Sequence, residues 1–234
     1  MHPTTHIADN LERLRARIAE AAQHAGRRAQ DVQLIAVSKN QPAEAVAAAV
    51  AAGQRVFGEN TVQDALTKIP GFAGQGLEWH FIGHLQSNKA KLIPNNFAWV
   101  HSLDSAQLAL RLARLAREQN TIINALIEVN ITRDPTKHGV TMENVAPLLN
   151  ALLKNDHSGL QLRGLMAIGP HPAPENGARA SFAQLRELRD KSQKCFELND
   201  FTELSMGMSG DYAAAIQEGS TMVRVGTAIF GQRE

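Results

Sequence analysis

The sequence predicts an α/β protein, a (β/α)8 barrel carrying an extra helix at its N-terminus. Three observations lead there. Short apolar runs alternate with helix-patterned segments along the chain, eight runs in all. Each run reads as a near-continuous stretch of Val, Ile, Leu and aromatic residues, the signature of a parallel strand buried on both faces. The 234 residues hold no composition break or long linker, and that length suits one closed barrel better than a doubly wound open sheet. Residues 1–234 are therefore read as a single domain.

Taken in order, residues 5–26 form a helix on the outside, with Ile7, Leu11, Leu14 and Ile18 at helical spacing and Gly26 as the stop. VQLIAVSK (32–39) is too short and apolar for a helix, and PAEAVAAAVAAG behind it has a proline start and a glycine end. RVFGEN then precedes TVQDALTKI, EWHFIGH precedes the helical LQSNKAKLI, and FAWVHSL precedes DSAQLALRLARLAREQ. INALIEVNI leads to MENVAPLLNALLK, LQLRGLMAIG to ENGARASFAQLRELRDKSQKCF, TELSMGMS to GDYAAAIQEG, and MVRVGTAIFG closes the series. Right-handed crossovers of this kind wind a TIM barrel.

Charge and cysteine count bound the function. Twenty-four Lys and Arg against 23 Asp and Glu leave a net charge of +1, no field for gripping nucleic acid or an anionic membrane. The one cysteine, Cys195, excludes an intrachain disulfide framework, reads as an inert helix residue, and suits the reducing cytoplasm. No window approaches the roughly 20 apolar residues of a membrane-spanning helix, and the N-terminal segment is too charged for a signal peptide.

Barrel chemistry gathers where strands end. Lys39 ends the first strand over an apolar floor, where desolvation would favour a neutral amine able to attack a carbonyl; alone, such a lysine is more often a solvated loop residue. Barrels bind phosphate with the loops after strands seven and eight. Here those loops carry Ser209 with Gly210 and Gly226 with Thr227, whose glycines permit close backbone approach and whose hydroxyls can donate. With Lys39 across the mouth they suggest a phosphorylated aldehyde. Arg224, inside the apolar strand MVRVG, needs a partner: a neighbouring carboxylate, or the ring nitrogen of a heterocyclic cofactor. Asp211 reads as a helix first-turn carboxylate. His80 and His84 look like a metal pair, but four strand positions separate them by roughly 13 Å, too far to share an ion. Lys137 and His138 fall in a loop, DPTKHG, read as a solvated turn or a second anion contact.

AVSK (36–39), FGEN–x–x–Q (57–63), WHFIGHLQ–x–NK (79–89), RGLMAI (163–168), and MGMS–x–D with R–x–G–T–x–IFG (206–231) together resemble the pyridoxal phosphate homeostasis protein family. The motifs run through nearly the whole chain in order. The resemblance implies a fold type III barrel, like the N-terminal domain of alanine racemase, holding pyridoxal 5'-phosphate (PLP) as a covalent aldimine on Lys39. It further implies that Arg224 contacts the pyridine nitrogen, that Ser209, Gly226 and Thr227 hold the phosphate, and that Asn60 lies near the ring. The implied role is carrying and buffering PLP and supplying it to apoenzymes, which would be transient partners, without established turnover. Thr61 and Gly210 depart from the family pattern, which favours an aromatic and a bulkier residue there.

An enzyme reading competes. Racemisation through PLP needs an electron sink and a second base. An arginine at the ring nitrogen weakens the sink. Racemases of this fold take a tyrosine from a further β-domain across a dimer, whereas the sole tyrosine here is Tyr212. A monomeric carrier is therefore expected, with a small racemase-like PLP enzyme as the alternative and a Schiff-base aldolase-type barrel as a third reading.

Overall fold

A computed structural model describes residues 6–170 and 175–231. Eight parallel strands close into a barrel in sequence order: β1 (Gln33–Val37), β2 (Val56–Glu59), β3 (Glu78–Phe81), β4 (Trp99–Leu103), β5 (Ile123–Glu128), β6 (Leu160–Met166), β7 (Glu203–Ser205) and β8 (Met222–Val225). The seam pairs β1 with β8, from Gln33 opposite Met222 to Ala36 opposite Val225.

Strand alternation sorts the side chains into two cores. Outward-pointing Ala36, Phe57, Trp79, Val100 and Val223 join the large core beneath the helices. Inward-pointing Ile35, Trp99, Leu126, Met166 and Met222 form a separate apolar plug inside the barrel. His80, His101, Ser205 and Arg224 are also buried, on the same alternation as the inward set. The barrel therefore contains polar groups that must satisfy one another.

The helices are α1 (Ile7–His24), α2 (Ala43–Ala51), α3 (Val62–Lys68), α4 (Ala106–Glu118), α5 (Val145–Leu153), α6 (Glu175–Cys195), α7 (Tyr212–Gln217) and α8 (Thr227–Phe230). Side chains cap two of them: Thr61 Oγ1 accepts from the Asp64 N–H (3.3 Å) and Ser105 Oγ from the Leu108 N–H (3.3 Å). Cys195 lies at the exposed end of α6.

The predicted outer helix is α1; of its expected span, residue 5 lies outside the described residues. Its buried stripe of Ile7, Leu11, Leu14 and Ile18 faces the barrel's closing side. Asn10 Nδ2 donates to the Ile229 carbonyl (2.9 Å), Arg15 to the Ala52 carbonyl (2.9 Å), and nearby Arg27 to those of Ile216 (3.0 Å) and Ser220 (2.7 Å). These contacts bridge both sides of the β1/β8 seam.

Two segments differ from expectation. The helix expected in LQSNKAKLI is a 3-10 turn over Ser87–Leu92, with Pro94 close behind to stop a longer helix. MVRVGTAIFG is strand only to Val225; Gly226 breaks the ladder and Thr227–Phe230 turn into α8.

Candidate functional site

The C-terminal mouth of the barrel opens into a cavity of about 910 Å³. Lys39, Asn60, Ser209, Arg224, Gly226 and Thr227 all line it, brought together from four strand ends far apart in sequence. Val37, Ile82 and Met166 give it apolar walls. Lys39 is half-buried. The chain turns sharply after it, with Asn40 in the left-handed region (φ 56°) and its N–H donating to Asp64 Oδ2 (2.7 Å). Asparagine tolerates that conformation better than other non-glycine residues, so the Lys-Asn pair sets the direction in which the lysine leaves the strand.

The loop after β7 is braced from two sides. Gly207 adopts φ 96°, and a Cβ there would lie 2.7 Å from that of Ala215, so only glycine fits. Its carbonyl accepts from the Arg224 N–H (3.0 Å), while Asp211 Oδ1 accepts from the Met208 N–H (2.6 Å). Asp211, read from sequence as a first-turn carboxylate, is thus the N-cap residue of α7 and holds the loop that presents Ser209. Gly226 lies close to β1, where an added Cβ would sit 3.0 Å from the Val37 carbonyl oxygen.

Arg224 has no carboxylate within ion-pair distance among the described residues, which removes the salt-bridge alternative. One terminal nitrogen donates to Ser205 Oγ (2.6 Å) and the other to the Ala167 carbonyl (3.0 Å). Burial pulls its pKa down to about 10, against the raising influence of Asp211 and Glu128; it remains a cation at neutral pH.

Several residues emerge that the sequence reading did not single out. Glu128, 7% exposed at the end of β5, has its pKa pushed up to about 7 by burial and by repulsion from Asp104. It lines a side cavity of about 210 Å³ with Asn130, Lys137 and His138, next to the main one through Ile168. An acid closing an apolar run was the only sequence signal for it. Lys137, which the sequence did mark as a solvated turn residue or a second anion contact, is partly buried, its ammonium donating to the Gly169 carbonyl (3.3 Å). Behind β2, Lys68 is buried and donates to Glu59 Oε1 (2.7 Å), to the Ser38 carbonyl (2.8 Å) and to Asp64 (3.0 Å). Burial still raises the Glu59 pKa despite these partners.

The two histidines of WHFIGH part company. His80 lies in the barrel interior, while His84 follows the strand to the mouth and stacks on His138, ring centroids 3.9 Å apart and planes 10° apart. His84, Asp104 and His138 hold ligand-type atoms within 4.8 Å of one another. Yet nitrogen lone pairs lie in the ring planes, and two parallel planes do not converge on one ion, so this arrangement does not form a metal centre.

The chain matches the alanine racemase N-terminal domain family over residues 10–234. It is 46% identical over 230 residues to the pyridoxal phosphate homeostasis protein of Pseudomonas aeruginosa, covering 97% of this chain and 96% of the relative. It is 44% identical over 233 residues to the protein of the same name from Vibrio cholerae, covering 97% of each. The chain belongs to the pyridoxal phosphate homeostasis protein family. Among solved structures it resembles PipY of Synechococcus elongatus with PLP bound, with a TM-score of 0.85 and 39% identity over 96% of this chain and all of that one. Against the homeostasis family pattern, Thr61 serves as the cap of α3, and a Cβ added at Gly210 would meet nothing within 4 Å among the described residues.

Proposed function

We propose that the protein binds pyridoxal 5'-phosphate in the mouth cavity, attached covalently to Lys39, and carries, buffers and supplies it within the cell. The observation that carries this reading is the gathering of all six predicted residues around one cavity. Their chemistry suits the cofactor: an amine for the aldehyde, a buried guanidinium for the ring nitrogen, and hydroxyls and close backbone for the phosphate. Asn60 adds a buried side-chain oxygen with no hydrogen-bond partner among the described residues, which a ligand group could satisfy.

Bound PLP supplies a carbonyl that an amine can take up and give back. Lys39 holds it at the end of β1; Ser209, Gly226 and Thr227 hold the phosphate; Arg224 keeps the ring nitrogen unprotonated, because it offers protons only as hydrogen bonds. That weakens electron withdrawal through the ring and favours holding over turnover. Support from relatives lies in the homeostasis name they carry and in the PLP bound to PipY.

The test is the visible absorbance of the protein with PLP, followed by borohydride reduction and peptide mapping. Absorbance and a reduced adduct on Lys39, both absent in Lys39→Ala, are expected; no adduct would sink the assignment. Sustained amino acid racemisation that depends on Lys39 would replace the carrier reading with the enzyme one. This reading takes residues 1–234 as one cofactor-binding domain, working as a cytoplasmic monomer that meets PLP-dependent apoenzymes transiently; sedimentation of the holoprotein as a stable dimer would contradict the monomer.

A further inference from the structure

A string of buried polar side chains crosses the barrel beneath the cavity. Glu78 Oε1 lies 2.8 Å from His80 Nε2, and His80 Nδ1 lies 2.8 Å from His101 Nε2. His101 Nδ1 lies 2.9 Å from Ser205 Oγ, which accepts from Arg224 at 2.6 Å. His80, His101 and Ser205 are fully buried, Arg224 is 5% exposed, and the Glu78 side chain, at the N-terminal end of β3, is 40% exposed. The string thus runs from the floor of the barrel to a guanidinium lining the cavity. Its residues come from β3, β4, β7 and β8.

The direction of every hydrogen bond follows from the two ends. Burial lowers the pKa of both imidazoles, so each is neutral, with one donor and one acceptor nitrogen. At the floor, Glu78 is held below the usual carboxylate range by its bond to His80 and can only accept. His80 therefore carries its proton on Nε2 and accepts at Nδ1. His101 must then donate from Nε2 and accept at Nδ1, and among the described residues the donor facing that nitrogen is the Ser205 hydroxyl. Ser205, having donated, offers its lone pair to Arg224, which has only donors. Reversing the string would require a protonated Glu78 and would leave the Ser205 proton without this acceptor.

We propose that Glu78, His80, His101 and Ser205 form a one-way chain of hydrogen bonds that positions Arg224 as a fixed donor to the ring nitrogen of bound pyridoxal phosphate. The proposal rests on the PLP reading above. The chain spends one Arg224 N–H on Ser205 and the Ala167 carbonyl takes another, so the guanidinium is clamped at two points and its remaining N–H groups are left for the cavity. The clamp places an anion at the far end of the chain and a cation at the cofactor end, with neutral, polarised groups between them. The members below Arg224 act through it and are positioning residues.

The test uses the holoprotein. Side-chain nitrogen NMR is expected to show His80 and His101 both protonated on Nε2; a proton on Nδ1 of either overturns the chain. With PLP labelled at the ring nitrogen, Ser205→Ala is expected to move the ring-nitrogen signal and raise the dissociation constant about ten- to a hundredfold, the range for losing a hydrogen bond to a charged group. Ser205→Thr, which keeps the hydroxyl, is expected to restore both. A folded Ser205→Ala with wild-type signal and affinity means the string only fills the barrel, and the proposal fails. Should Ser205→Ala not fold, Glu78→Gln at the half-exposed end decides. Its carboxamide can donate to His80 and release the chain's direction, so mixed histidine tautomers and a shifted ring-nitrogen signal are expected; unmoved signals overturn the proposal. Wild-type protein that takes up no PLP overturns the parent reading and this one together, whereas binding with unmoved signals overturns this one alone.

Discussion

Glu128 is a carboxyl whose charge the folded barrel disfavours. Its folded pKa of about 7 exceeds the ordinary value of 4.5, so the folded state binds more protons between those values. Stability therefore falls as pH rises through that window. Replacing Glu128 by Gln is expected to stabilise the protein by about 3 kcal/mol at pH 8 and by little near pH 4. Urea unfolding of both proteins at the two pH values checks this, and a pH-independent difference would refute it. His80 and His101 act in the opposite sense: their pKa values are lowered by burial, so acidification below about 6.5 favours the unfolded chain, which can protonate them. Comparing wild type with His101→Leu should expose the His101 share of that loss as a steeper acid limb in the wild-type stability profile, the remainder coming from His80. Single residues were legible where they interrupt a pattern. Lys39 and Arg224 stand out as cations in apolar runs, and the glycines with Ser209 and Thr227 punctuate strand ends. His101 and Ser205 carried no such mark, because their meaning lies in partners across the barrel, and spacing along one strand does not reveal them.

Among the elements, α3 depends on a buried lysine. Lys68 neutralises Glu59 in a place neither would occupy alone, and removing one partner of such a pair leaves an uncompensated charge. Lys68→Ala is expected to cost about 3–5 kcal/mol, measured by denaturant unfolding, while Lys68→Met combined with Glu59→Leu should recover most of it. A double variant no better than the single one would show that the cost comes from packing. All eight strands were visible as apolar runs, yet several runs outlast the hydrogen-bonded ladder. VNI and AIG continue past β5 and β6 into the mouth, where Val129 and Ala167 keep single hydrogen bonds to Met166 and Ser205 and Ile168 lines the cavity wall. The same continuity hid α8, since TAIF is as apolar as the strand before it. The 3-10 turn at Ser87–Leu92 carries a helix-like pattern that Pro94 stops before a full helix can form.

For the whole molecule, α1 is a brace across the joint where the sheet meets itself. Leu11 is fully buried in that contact, and Leu11→Ala is expected to cost roughly 2–5 kcal/mol in a single cooperative unfolding transition; a change under 1 kcal/mol would show that α1 is dispensable. The closed barrel and its outer helix were legible because alternation and helical spacing are local properties, whereas the polar interior is a property of closure itself. Closure also bears on how the chain assembles. Seven of the eight strand pairings join neighbours in sequence, but the pairing of Gln33 with Met222 must bring together segments from opposite ends of the polypeptide. Joining them is the most costly step in chain entropy, although that cost grows only slowly with loop length. The seam is therefore expected to zip last during folding and to part first in native-state hydrogen exchange, with α1 and the β1/β8 amides exchanging as one unit.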